Sequence, residues 1–143
     1  MSTTLALSDL LAPGAPIPAW SVPLTPTLVV STAIATRDFQ DVHHDRDIAQ
    51  AAGSKDVFMN ILTSTAFVER YVEDWVREQT GQGAVVKGIA IRLGAPAYPY
   101  DTLTFTGSVD SVEGQGDDAV AVLKVTGSVS LGDHVIGTVK VAL

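Results

Sequence analysis

From Gly83 onward the apolar residues fall on alternate positions. Val85, Ile89, Ile91 and Leu93 form the first such run. Leu103, Phe105 and Val109 then alternate with Thr104, Thr106 and Ser108, and Leu123, Val125, Val129 and Leu131 with Lys124, Thr126, Ser128 and Ser130. Val135, Val139 and Val141 form the last run. A period of two is that of a strand with one face buried. The segment from Gly94 to Asp101, with Pro96 and Pro99, supplies a turn, and Gly114-Gln115-Gly116-Asp117 and Gly132-Asp133 supply hairpins. Consecutive hairpins imply an antiparallel sheet.

Between Asn60 and Gln79 the period changes to that of a helix. Ile61, Val68, Val72, Trp75 and Val76 lie on one stripe, with Phe67 and Tyr71 beside it. Arg70 with Asp74 and Glu73 with Arg77 are pairs four apart on the other side. Asn60 can cap this helix, and Thr80-Gly81-Gln82-Gly83 ends it. Thr27 to Thr36 is rich in β-branched residues and reads as a strand. The stretch before it, residues 1–26, holds five of the seven prolines and reads as an extended arm anchored by Ile17, Trp20 and Val22.

The segment from Arg37 to Asn60 breaks the apolar pattern with charge. Asp45 can cap a short helix, Arg46 to Ala52, that ends at Gly53 and buries Ile48, Ala49 and Ala52. The element order is strand, short helix, long helix and four strands. One long helix must then cover the buried face of one curved sheet, an α+β fold in a single domain over residues 1–143.

At 143 residues the chain suits one domain, and 46% apolar against 17% charged residues argues against disorder. The net charge of -7, from 9 basic against 16 acidic residues, argues against a nucleic-acid partner. No apolar run is long enough for a membrane helix, and no basic patch precedes an apolar stretch as in a secretory leader. The absence of cysteine removes disulfides, thiolate metal sites and thiol nucleophiles, and agrees with a cytoplasmic protein.

The polar insert holds Asp38, Asp41, His43, His44, Asp45 and Asp47. A carboxylate beside an imidazole makes an acid–base pair near neutral pH. The same residues also suit a solvated loop ending in a helix cap. A metal site fits poorly, because adjacent histidines point apart in extended chain and no HxxxH spacing is present. No GxSxG, phosphate-binding loop or GxGxxG occurs.

The insert resembles the motif of MaoC-like (R)-specific enoyl-CoA hydratases, Asp-x-Asn-Pro-(Leu/Ile)-His-x-Asp. Asp38-Phe39-Gln40-Asp41-Val42-His43-His44-Asp45 keeps both aspartates, the aliphatic residue and the histidine. Ala49 and Gly53 fall where that family has small helix residues. Gln40-Asp41 stands for its Asn-Pro, Arg37 for the glycine before its aspartate, and Asn60 for the glycine opening its long helix. With TRDFQDVHHD and FMNILT, the chain looks most like the small subunit of the actinobacterial enoyl-CoA hydratases of steroid (cholesterol) side-chain degradation.

The resemblance implies a hotdog fold, with the sheet around the long helix. It implies hydration of a trans-2-enoyl-CoA by Asp38, as principal base, with His43 as its partner. The backbone N–H at Asn60 would receive the enolate oxygen, and Arg37, Lys55, Lys87 and Arg92 are candidates for the coenzyme A phosphates. It implies an acyl-CoA substrate, no metal or separate cofactor, and a larger subunit joining a MaoC-like to a DUF35 domain in a heterotetramer. An acyl-thioester dehydratase, a thioesterase or a non-catalytic hotdog subunit remain alternatives on the same fold.

Overall fold

The computed structural model describes residues 7–143. Its order is β1 (Pro16–Pro23), α1 (Pro26–Ala35), α2 (Arg46–Ala51), α3 (Ile61–Thr80), β2 (Val86–Leu93), β3 (Thr102–Glu113), β4 (Val120–Val129) and β5 (Gly132–Ala142). The five strands form one antiparallel sheet in the order β1-β3-β4-β5-β2. This is the expected α+β hotdog arrangement, an open sheet packed on a long helix.

Helix α3 begins one residue after its cap, because the Asn60 side-chain oxygen accepts from the Thr63 N–H at 3.0 Å. It ends at Gly81, whose left-handed φ of 72° closes the last turn. Val68, Tyr71, Val72, Trp75 and Val76 are buried against Leu103, Phe105, Val109, Leu123, Val125, Val135 and Val139 of the sheet. Ile61, placed on that stripe by its spacing, is instead half exposed at the helix start. Arg70 and Asp74 pair at 3.3 Å, whereas no ion pair joins Glu73 to Arg77.

Two N-terminal expectations fail. Residues 16–23 are a strand, not an arm, and pair with β3. Ile17 is buried there, and Trp20 and Val22 pack against the core. Residues 1–6 of the expected arm lie outside the described residues, and Leu7–Leu10 form a 3-10 turn. The expected strand from Thr27 to Thr36 is instead helix α1 with Thr36 as its C-cap. The Thr25 hydroxyl accepts from the Leu28 N–H at 3.0 Å and Pro26 opens the first turn, so the cap overrides the β-branched composition. Val29 and Ala33, four apart, bury the inner side.

Helix α2 forms as expected, with the Asp45 carboxylate on the Ile48 N–H at 3.0 Å. Only Ala49 of its three expected apolar contacts is buried; Ile48 and Ala52 are exposed. The β4–β5 hairpin turns at Ser130-Leu131, earlier than Gly132-Asp133, and leaves Leu131 exposed. No helix among the described residues is long and apolar enough to cross a membrane.

Candidate active site

The end of α1 aims the first acidic residue of the insert. The Asp38 N–H bonds to Ala33 O at 2.9 Å and the Arg37 N–H to Ile34 O at 2.9 Å. This double closure requires a left-handed residue between helix and exit, and Arg37 takes it at φ 59°. Glycine is the residue that adopts this φ without strain. The turn throws Asp38 back over the start of α3.

There Asp38 meets Asn60. One Asp38 oxygen accepts from the Asn60 side-chain amide at 3.1 Å, and the other accepts from the Gln40 N–H at 3.3 Å. The same amide nitrogen also donates to Thr36 Oγ1 at 2.9 Å. Asn60 is 2% exposed, and its side chain is fully used as cap and carboxylate holder. The Asn60 amide foremost, then the Gln40 N–H and the nearby histidines, hold the Asp38 carboxyl below its usual value against partial burial.

His43 faces the same carboxylate, with Nε2 3.4 Å from Asp38 Oδ2. Its Nδ1 lies 2.7 Å from Phe58 O, which only accepts, so Nδ1 carries a hydrogen and Nε2 is the nitrogen turned to the carboxylate. The Phe58 ring packs edge-on at 4.9 Å. The neighbouring histidine, His44, points away and pairs with Asp41 at 3.4 Å on the surface. Among the described residues no group of three or more histidines or carboxylates is placed to hold a metal.

A cavity of about 350 Å³ opens onto this pair. Asp38, His43 and Asn60 form one side, and Leu93, Ala95 and Pro96 the other. The first N–H groups of α3 lie at its lip, where a helix presents unpaired donors and a positive dipole end.

The structure brings Asp38, His43 and Asn60 together on one cavity, and none of the four basic candidates lines it. Lys55 lines a different cavity of about 450 Å³, with Arg46, Tyr98 and Tyr100. Arg37, Lys87 and Arg92 are exposed and line neither. Sequence reasoning missed Thr36, which steadies Asn60, and His134, which lies in the cavity wall. The only signal for His134 is a third histidine beside a turn, where strict alternation from Val135 points it outward.

A profile of the MaoC like domain matches residues 11–130 of the chain. The 3-oxo-4,17-pregnadiene-20-carboxyl-CoA hydratase beta subunit of Mycobacterium tuberculosis is 52% identical over 130 residues, 91% of this chain and 95% of that one. A chain of the crystal structure of the ChsH1-ChsH2 complex from the same organism matches with a TM-score of 0.83 at 51% identity, over 92% of this chain and 98% of that one. The (R)-hydratase from A. caviae involved in PHA biosynthesis shares the fold, with a TM-score of 0.81 at 19% identity over 96% and 99% of the two chains.

Proposed function

The chain belongs to the MaoC-like domain family, and from that premise we propose that it is an enoyl-CoA hydratase acting as the smaller subunit of a heteromeric enzyme. The named hydratase relative supports the reaction, and the matching two-component complex supports the partner. The observation that carries the chemistry is the 3.4 Å approach of His43 Nε2 to Asp38 Oδ2 at the mouth of the cavity.

With the imidazole in its neutral form, both atoms are acceptors. One water donates a hydrogen to each, which leaves its lone pair directed into the cavity, at the β-carbon of a bound trans-2-enoyl thioester. As the C–O bond forms, a proton passes to the Asp38–His43 pair, and the pair returns it to the α-carbon on the same face. The hydrogen that arrives at the α-carbon is the one taken from water and the other stays on the new hydroxyl, so the addition balances, and delivery from one face makes it syn. Which of the two atoms carries the proton between steps is a property of the pair. The thioester oxygen gains charge meanwhile and sits against the first backbone N–H groups of α3, at Asn60. The Asn60 side chain is excluded from that contact, since its amide is committed to Asp38 and Thr36.

We read the acyl group as a steroid side chain, from the substrate named for the relative. A cavity of about 350 Å³ is at the small end for a ligand pocket, so a four-ring acyl group needs further wall from the partner. That partner, in this reading, is a larger MaoC-like/DUF35 chain, and the assembly is a heterotetramer working in the cytoplasm. The coenzyme A enters as part of the substrate, and the reaction needs no metal.

The test is loss of the enoyl-thioester absorbance, with this chain alone and with the larger subunit. A steroid side-chain enoyl-CoA and a short linear one serve as substrates. Asp38→Asn should abolish turnover in whichever assembly is active. Undiminished turnover of the complex carrying that variant would make this chain a non-catalytic subunit.

A further inference from the structure

His134 is a buried titratable residue that the hydration chemistry above does not use. It reaches the interior because β5 carries an extra residue there. Ser128 pairs with Asp133 and Gly127 with Val135, so His134 has no partner of its own on β4. Such a bulge re-aims a side chain, and both His134, 2% exposed, and Val135 point inward.

The bulge grips the opposite wall of the cavity. The Gly94 N–H donates to His134 O and the Ala95 N–H to Asp133 O, each at 2.8 Å. A Cβ at residue 94 would strike the Asp133 carbonyl oxygen, which leaves glycine as the residue that fits this approach. In return, His134 Nδ1 lies 2.7 Å from Ala95 O, and Nε2 lies 2.7 Å from Ser64 Oγ. A carbonyl only accepts, so Nδ1 carries the hydrogen. Burial keeps the ring neutral by pushing its pKa down, against the opposing bond to Ala95. Nε2 is therefore an acceptor, and the Ser64 hydroxyl must donate to it.

Ser64 is fully buried, one turn beyond Asn60, and its oxygen also lies 3.1 Å from the Asn60 carbonyl. Its single hydrogen cannot serve both, and the neutral ring takes it. His134, itself in the lining, thus ties the first turn of α3 to the strap at Ala95. Both of those segments line the cavity, so on the hydratase reading the thioester lies against them. Both ring nitrogens are committed, so the imidazole does not act on the substrate.

We propose that Ser64 and His134 are a positioning unit that sets the gap between the start of α3 and the Ala95 strap, and with it the placement of the thioester carbonyl against α3. This rests on the hydratase reading. It concerns residues outside the Asp38–His43 pair. A displacement of about 1 Å at a reacting centre costs on the order of 100-fold in rate, so loosening either bond shows in kcat.

The experiment compares Ser64→Ala, His134→Asn and the double variant in the assembly that turns over. Asparagine can keep the bond to Ala95 O and is too short for Ser64. All three should show the same loss, about 10- to 100-fold in kcat, with KM changed less than about threefold. Each is assayed at a temperature where circular dichroism shows it folded. Ser64→Ala removes one oxygen from a helix and keeps the test standing if His134→Asn does not fold. Wild-type kcat in Ser64→Ala overturns the proposal, as do losses that multiply in the double variant. If the wild-type assembly hydrates no enoyl-CoA, the hydratase reading falls and this one with it. If it does and Ser64→Ala matches it, only this one falls.

Discussion

His43 and His134 stand on the same cavity and are held the same way, yet they are built for different work. In each, Nδ1 is 2.7 Å from a backbone carbonyl, Phe58 O for His43 and Ala95 O for His134. Each carbonyl takes the hydrogen on Nδ1 and turns Nε2 toward the other partner. For His43 that nitrogen faces a carboxylate at 3.4 Å, long for a hydrogen bond. For His134 it faces a hydroxyl at 2.7 Å, which satisfies it. The lesson is that fixing an imidazole does not make it reactive. In the proposed mechanism reactivity comes from what is left unsatisfied at the far nitrogen, and it is His43 whose far nitrogen is given to water.

The largest effect expected from breaking this contrast is at His43. His43→Asn can keep the bond to Phe58 O and removes Nε2, and kcat should fall about 10²- to 10⁴-fold while the melting temperature moves little. His134→Leu should reverse that ranking. It leaves Ala95 O without its partner and turns the Ser64 hydroxyl to the Asn60 carbonyl, and chemical denaturation should show a loss of about 1–3 kcal/mol. If His43→Asn unfolds the chain and His134→Leu does not, the assignment of roles is inverted.

Acid should separate the two rings further. The folded-state pKa of His134 lies below its usual value of 6.5, so the unfolded chain binds the proton first. Its contribution to stability is full above pH 6.5 and is lost as the pH falls from there through the lowered value. Asp38 is also depressed, from 3.8, so its contribution disappears only at lower pH. Denaturation midpoints measured from pH 8 to 5 should therefore decline, and the decline should be shallower in His134→Asn. The smallest effect belongs to Arg37. Its left-handed φ is relieved in Arg37→Gly, which should gain about 0.5–1 kcal/mol in thermal unfolding. A rise in KM for the acyl-CoA in that variant would return Arg37 to the coenzyme A contacts.

Legibility from sequence followed how local the determining forces are. The cap and stripe of α3, the Asp45 cap of α2 and the alternation of β3, β4 and β5 were all readable, since each rests on spacing within one segment. Helix α1 was not, because its β-branched composition reads as strand while the Thr25-Pro26 start sets a helix. Strand β1 was not, because prolines at Pro16, Pro18 and Pro23 argue against strands in general but are tolerated at an edge. Asp38 and His43 stood out as a charged insert, but their pairing came from the family motif. His134 was hidden because a single bulge reverses the parity on which alternation depends.

Those edge prolines also limit growth. The sheet has two outer strands, β1 and β2. Three of the eight residues of β1 lack an N–H, so a foreign strand finds few donors there. Strand β2, VKGIAIRL, has no proline. If a partner's sheet joins along β2, the border left free on this chain is the proline-bearing β1, and growth of the sheet stops on that side.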